Sequence, residues 1–330
     1  MTSTSRLDTK AEANAAELGF EQHRTELTAF CYRMLGSAFE AEDAVQETMI
    51  RAWRSFDRFE GRAAVRSWLY RIASNVCFDM LKGRRRRALP MDLQEVGHAD
   101  GPVAEPTSES MWVGPIAERR VIDSTGDPAE EAELRATVRL AFVAALQYLP
   151  ARQRAVLILR EVLKWKASEV AELLDTTVVS VNSALQRART TLADHDATAY
   201  TTTEPVDDAQ RELLARYVDT FERFDIEGLI ALLHEDVTMQ MPPYPLWMQG
   251  AGEYRTWLLG PGGGCEGSRL APIDANGGPA FAQWRVDPEG GFTAWSIHLL
   301  TVSGGSITAM DFFVDPNLFA LFDLPVHLDA

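Results

Sequence analysis

Long apolar runs are missing from this sequence. Nowhere do about 18 hydrophobic residues stand together, so no helix of membrane-spanning length is expected. The opening stretch MTSTSRLDTKAEANAAELGF has no apolar core of a secretory leader, and a cytoplasmic protein is expected. Cysteine is scarce. Cys31, Cys77 and Cys265 are odd in number and far apart in the chain, which implies no disulfide framework and offers no metal-ligand spacing. The six histidines form no HxxxH-type pair, so no structural metal is expected. GPGGGCEG at 260–267 lacks the Lys-Ser/Thr ending of a phosphate loop and reads as a turn, so no cofactor is expected. Lysine is absent from Thr201 to Ala330, where 19 acids face six arginines for a net −13.

What is present is unevenly placed. A chain of 330 residues suggests roughly two or three domains, and the 46% hydrophobic share is enough for ordinary globular cores. The total charge is −16, yet residues 51–90 carry eleven basic residues against Asp57, Glu60 and Asp79, a net +8. Local positive charge in an acidic chain asks for a polyanion or an acidic partner. Phe59, Trp68, Tyr70 and Phe78 are interleaved with these charges. Arginines suit phosphates and aromatic faces stack on unpaired bases, so single-stranded or melting DNA is a candidate ligand. The competing reading is a solvated helix with a basic end, because Trp68, Leu69, Ile72, Val76 and Leu81 recur at helical spacing and some must be core.

Upstream, apolar positions from Phe20 to Leu35 predict a helix ending at Gly36, and AEDAVQETMIRAWRSF predicts a second. Ala44, Val45, Thr48, Met49 and Ala52 form its apolar side. Asp43, Gln46, Glu47 and Arg51 line the other side at three- and four-residue spacing. A short loop, 57–64, leads to the basic helix. AEDAVQETMIRAW followed by RSWLYRIASNVCFDMLKGRRRR resembles region 2 of the extracytoplasmic-function (ECF) group of sigma factors. The resemblance implies that Asp43, Gln46, Glu47 and Arg51 dock on the β′ subunit of RNA polymerase core. It also implies that Phe59, Trp68, Tyr70, Asn75 and Asp79 capture the unpaired strand of the −10 element. Glu60 stands where that family commonly has arginine.

Residues 91–128 are proline-rich and aperiodic and read as a linker, which in an active sigma factor would run through the polymerase active-site and RNA-exit path. A helix is predicted over 129–149, stopped by Pro150, then another over ARQRAVLILREVL. WKASEVAELLDTTVVSVNSALQRARTTL has the layout of a helix-turn-helix, with a turn at Asp175-Thr176 and Thr177 as N-cap. Val181, Leu185, Ala188 and Leu192 form the buried stripe of its second helix. Asn182, Ser183, Gln186 and Arg187 lie off it, where Asn and Gln suit adenine and Arg suits guanine. This segment resembles sigma region 4, in the right order after region 2, which implies reading of the −35 element. Asp175 replaces a common turn glycine, and Asn182 and Ala184 replace frequent basic residues.

After a polar tether, helices over 209–233 precede strand-like, Gly-Gly-punctuated sequence, an α+β pattern with an antiparallel sheet. ARYVDTFERFDIEGLIALLHEDVTMQMPP and ITAMDFFVDPNLFALF resemble the SnoaL-like polyketide-cyclase family, whose cone-shaped half-barrel encloses a pocket. His298 and Asp311 are candidate general bases there, with Trp247, Tyr254, Met241 and Trp284 as candidate walls; no dyad is recognisable by spacing, and a packing or ligand-sensing role is more economical.

The expectation is thus a multidomain chain. It has a tail (1–19), region 2 (20–90), a linker (91–128), region 4 (129–195), a tether (196–208) and a SnoaL-like regulatory domain (209–330). It is expected to bind polymerase core through β′ and β and to bind promoter DNA. A small molecule is a candidate ligand of the last domain, no membrane is involved, and the chain is not an enzyme. Two alternatives stay open: a one-component ligand-responsive DNA-binding regulator, and a SnoaL-like isomerase or cyclase with a DNA-binding adaptor.

Overall fold

A computed structural model describes residues 19–56, 59, 64–123, 126–194 and 207–329. The expected tail, most of the loop at 57–64 and most of the tether at 196–208 lie outside the described residues. The chain divides into two compact units. One comprises the described residues within 1–87 and 119–201, the other those within 88–118 and 202–330.

In the first unit, α1 (Arg24–Leu35) is buried from Leu27 to Leu35 and stops at Gly36, whose φ of 73° a side chain would oppose. Ser37 then caps α2 (Ala38–Ser55) by accepting a bond from the Glu40 N–H. α3 (Val65–Leu81) closes a three-helix cluster around Leu27, Phe30, Val45, Met49 and Leu69. Cys31 on α1 and Cys77 on α3, distant in sequence, meet by a hydrogen bond in this core, and that contact together with burial pushes the Cys31 thiol up.

Two helix expectations are corrected. The basic helix ends at Leu81, because Lys82 is extended and Gly83 has φ +74°, so the arginine run lies beyond it. Those arginines are largely occupied: Arg84 and Arg87 pair with Glu40, and Arg86 lies 3.9 Å over the Tyr148 ring. The single helix expected over 129–149 is two, α4 (Pro128–Ala136) and α5 (Leu140–Leu146). Its break at Thr137 coincides with buried Arg33, which donates to the Thr137 carbonyl (3.2 Å) and hydroxyl (2.6 Å). α6 (Ala151–Leu157) follows, then α7 (Ala167–Leu173) and α8 (Val178–Asp194).

The second unit opens its main body with α9 (Asp208–Glu222) and α10 (Ile226–Ile230). Then come β1 (Leu233–Gln240), β2 (Trp247–Gln249) and α11 (Ala251–Leu259). β3 (Arg269–Ala275), β4 (Gly278–Val286), β5 (Phe292–Ser303) and β6 (Ser306–Phe313) are successive hairpin strands. β3–β4 and β5–β6 turn in two residues, Asn276-Gly277 and Gly304-Gly305, with positive φ as tight hairpins require, and the longer β4–β5 loop over 287–291 ends on Gly290 and Gly291, also with positive φ. α12 (Leu318–Leu321) and β7 (His327–Leu328) end the chain. The sheet order is β2-β1-β6-β5-β4-β3, with β7 on β5. It is mixed rather than wholly antiparallel: β1 and β6 are parallel, because everything between them forms one crossover. Tyr217, Phe221, Trp257, Met239, Phe281 and Met310 fill the layer between the helices and one sheet face.

The expected linker is folded for most of its length. Residues 88–118 belong to the second unit as a strap. Gly97 N–H bonds the Trp247 carbonyl (2.9 Å), Ala99 N–H bonds Glu253 (2.8 Å), and Thr107 N–H bonds the Pro243 carbonyl (2.9 Å). At its end, Ile116 and Asn276 exchange bonds and Ala117 bridges Ala275. Proline and the lack of periodicity hid this, because a strap is held by partners distant in sequence rather than by its own repeat.

Candidate nucleic-acid interface

On α2 the apolar side faces the core, leaving Asp43 and Gln46 exposed and Glu47 and Arg51 half-buried. Arg51 donates to Glu47 (2.6 Å) and reaches Asp79 on α3 (3.3 Å), so the two helices share one charged seam. Bonding to Glu47 leads the causes that raise the Arg51 pKa. On α3, Asn75 and Asp79 are one turn apart and exposed, beside Arg71. Phe59 and Trp68 are brought together, ring centres 4.9 Å apart, in a cluster with Phe20 and Phe56.

Tyr70 is the exception among the expected −10 contacts. It is fully buried, packed on Phe30 (5.3 Å) and Trp165 (5.1 Å), with its hydroxyl on Glu26. Burial first, then the Glu26 charge, raise its phenol pKa far above the ordinary range. A ring with no free face cannot stack on a base, so Tyr70 is corrected to a core residue; at 3.6 residues per turn it points away from Asn75. α7 lies beside α3 here, with Arg71 donating to the Glu172 carbonyl (3.0 Å) and Arg66 over both the Tyr70 and Trp165 rings.

The helix-turn-helix is formed by α7 and α8. Asp175 takes the left-handed turn conformation at φ +50°, and Thr177 accepts from the Ser180 N–H as N-cap (3.1 Å). Val181, Leu185, Ala188 and Leu192 are buried, while Asn182, Ser183, Gln186 and Arg187 share the exposed side. Sequence periodicity missed what secures this half to the first. Buried Arg154 on α6 donates to the carbonyls of Met34, Gln147 and Leu149 and to the Gln147 side chain. Burial lowers its pKa, like that of Arg33, to about 10, so both stay charged at neutral pH.

In the second unit, Tyr254 and His298 share one interior against Phe312, Tyr254 stacked on it (6.2 Å) and His298 edge-to-face with it (4.6 Å). His298 Nδ1 meets the Tyr217 hydroxyl (2.9 Å), and Nε2 meets Gln283 Oε1 and Ser296 Oγ (each 3.0 Å). Burial alone lowers its pKa to about 3. Asp311 is not part of this group. His298 is registered with Phe312 and Leu299 with Asp311, so by strand alternation Asp311 lies on the opposite sheet face, bonded to Gln240. Burial pushes its carboxyl up to about 6, against the Gln240 bond. Trp247 gives its indole N–H to Gln94 of the strap (2.9 Å), and Trp284 packs on Phe319 (5.1 Å), outside the His298 group. Tyr217, Gln283 and Ser296 carried no sequence signal, since only strand register and helix docking join them. Among the described residues no acidic, histidine or cysteine cluster could hold a metal ion, and no helix is long and apolar enough to cross a membrane.

Comparison with known proteins matches Sigma-70 region 2 at residues 20–87, Sigma-70 region 4 at 139–192 and a SnoaL-like domain at 214–310. The ECF RNA polymerase sigma factor SigG of Mycobacterium tuberculosis is 41% identical over 321 residues, spanning 93% of this chain and 83% of SigG. The chain belongs to the ECF sigma factors. The ECF sigma factor SigW of Bacillus subtilis is 28% identical over 170 residues, 52% of this chain and 82% of SigW. The crystal structure of Mycobacterium tuberculosis SigJ shares the fold, with a TM-score of 0.56 at 22% identity over 93% of this chain and 99% of SigJ. ECF sigma factors bind polymerase core and promoter DNA to start transcription. The two alternative readings are not favoured, because a sigma factor matches nearly the whole chain.

Proposed function

We propose that this sigma factor, acting in the cytoplasm, docks on β′ through Asp43, Gln46, Glu47 and Arg51 of α2. It then holds the unpaired −10 strand with Phe59, Trp68, Asn75 and Asp79, and reads the −35 duplex with Asn182, Ser183, Gln186 and Arg187 of α8. The observation that carries this is the split of α8 into a buried apolar stripe and an exposed Asn-Ser-Gln-Arg stripe behind a capped turn. A recognition helix enters the major groove with just such a polar face.

The second unit is proposed to regulate by holding the segment between the two promoter-reading halves. Strap and sheet share one unit, so any ligand or substitution that alters that hold alters a segment covalently joined to both halves. The test is run-off transcription with reconstituted polymerase. Asp43→Ala and Glu47→Ala are expected to lose co-purification with core, and Asn182→Ala and Gln186→Ala to lose −35 preference while keeping core. Retention of both properties would refute the assignment.

A further inference from the structure

Val178 and Val179 are the exposed large hydrophobic residues among the described residues of the first unit, and Val179, at 75%, is the most exposed in either unit. Both stand in the first turn of α8, just after the Thr177 cap. Asn182 and Ser183 follow Val179 by three and four residues and Gln186 by seven, so Val179 heads the same exposed stripe. Charge is sparse on this helix: Arg187 is exposed, and Arg189 is paired with Glu161 (2.6 Å). Apolar side chains at the leading turn of a recognition helix have one chemical counterpart on a base edge, the 5-methyl group of thymine.

We propose that Val179 reads the 5-methyl of a thymine in the −35 element, flanking the base pair addressed by Asn182. This rests on the proposed role of α8 and adds a specificity residue to it. The polar residues distinguish bases by hydrogen bonds. Val179 instead distinguishes thymine from cytosine, which lacks the methyl group, with no hydrogen bond at all. It also supplies affinity where basic residues are few.

The test uses the full chain with core polymerase and a promoter recovered by transcription from genomic fragments. Each thymine of its −35 element, on either strand, is replaced in turn by deoxyuridine, which removes only the methyl group. One replacement should weaken open-complex formation about fourfold, the effect of losing one buried methyl. Val179→Ala should be insensitive to that replacement, and Val179→Ile should regain sensitivity. The proposal is overturned if every replacement is tolerated by the native chain, or if sensitivity persists in Val179→Ala. It is equally overturned if the −35 element holds no A·T pair, or if Val179→Ala loses affinity for core without DNA. A scrambled −35 block separates the two levels. Unchanged output on scrambling removes the −35 role of α8 itself, whereas strict −35 dependence without any deoxyuridine effect removes only Val179.

Discussion

His298 has both ring nitrogens occupied. Gln283 Nε2 donates to Ser268 (2.9 Å), so Gln283 Oε1 is an acceptor; His298 Nε2 then carries the proton and Nδ1 accepts from Tyr217. The neutral ring has no lone pair left for a substrate. With a folded pKa near 3 and an unfolded value near 6.5, the unfolded chain binds the extra proton. The associated stability is present above about pH 6.5 and is lost as pH falls towards 3, at up to about 1.4 kcal/mol per pH unit. His298→Gln should flatten that limb in unfolding titrations. Asp311 acts in the opposite sense: with a folded pKa of about 6 against an unfolded value near 3.9, the folded chain holds the extra proton, so stability is lost as pH rises from about 4 towards 6, and Asp311→Asn should remove that loss. In the first unit, Tyr70→Ala should cost about 3–5 kcal/mol as a core truncation. Tyr70→Phe should cost only about 1 kcal/mol, for the Glu26 bond. Denaturant melts would distinguish this core role from a DNA-contact role, in which stability would hardly move.

At the scale of elements, Arg154 ties α6 to the end of α1. Its planar fork serves three carbonyls and an amide at once. Arg154→Ala leaves those acceptors buried and unpaired, which predicts a loss of at least about 2 kcal/mol. Arg154→Lys should not restore it, since a single ammonium lacks the fork. Thermal unfolding of both variants checks this, and full rescue by lysine would contradict the geometry. A second buried arginine, Arg33, meets a feature no helix propensity encodes: it bonds Thr137 at the break between α4 and α5, where a continuous helix was expected.

At the scale of the molecule, charge and topology lead to one experiment. Most of the negative balance lies in the last 130 residues, yet the hold on the strap comes mainly from hydrogen bonds, with Glu253 beside Ala99 and His98 as a charged exception. The bond to the Ala99 N–H is the leading cause that lowers the Glu253 pKa. Glu253→Ala combined with Trp247→Ala should loosen residues 94–99 and, on the proposed regulation by the second unit, raise run-off transcription. Deleting residues 201–330 should also change promoter output. Unaltered output and core affinity in both variants would remove the second unit from regulation.

The sequence by itself determined the order of the modules, the apolar sides of α2 and α8, the Asp175 turn with its Thr177 cap, and the family. Each of these is a local pattern, set by helical period or by backbone preference within a few residues. Tertiary structure alone decided which aromatic residues were fully buried, since Tyr70 and Trp68 have similar neighbours in sequence and different ones in space. It also placed His298 and Asp311 on opposite faces, because strand parity has no meaning until register is known. The strap was decided there too: a segment without periodicity takes its shape from the surface that satisfies its backbone.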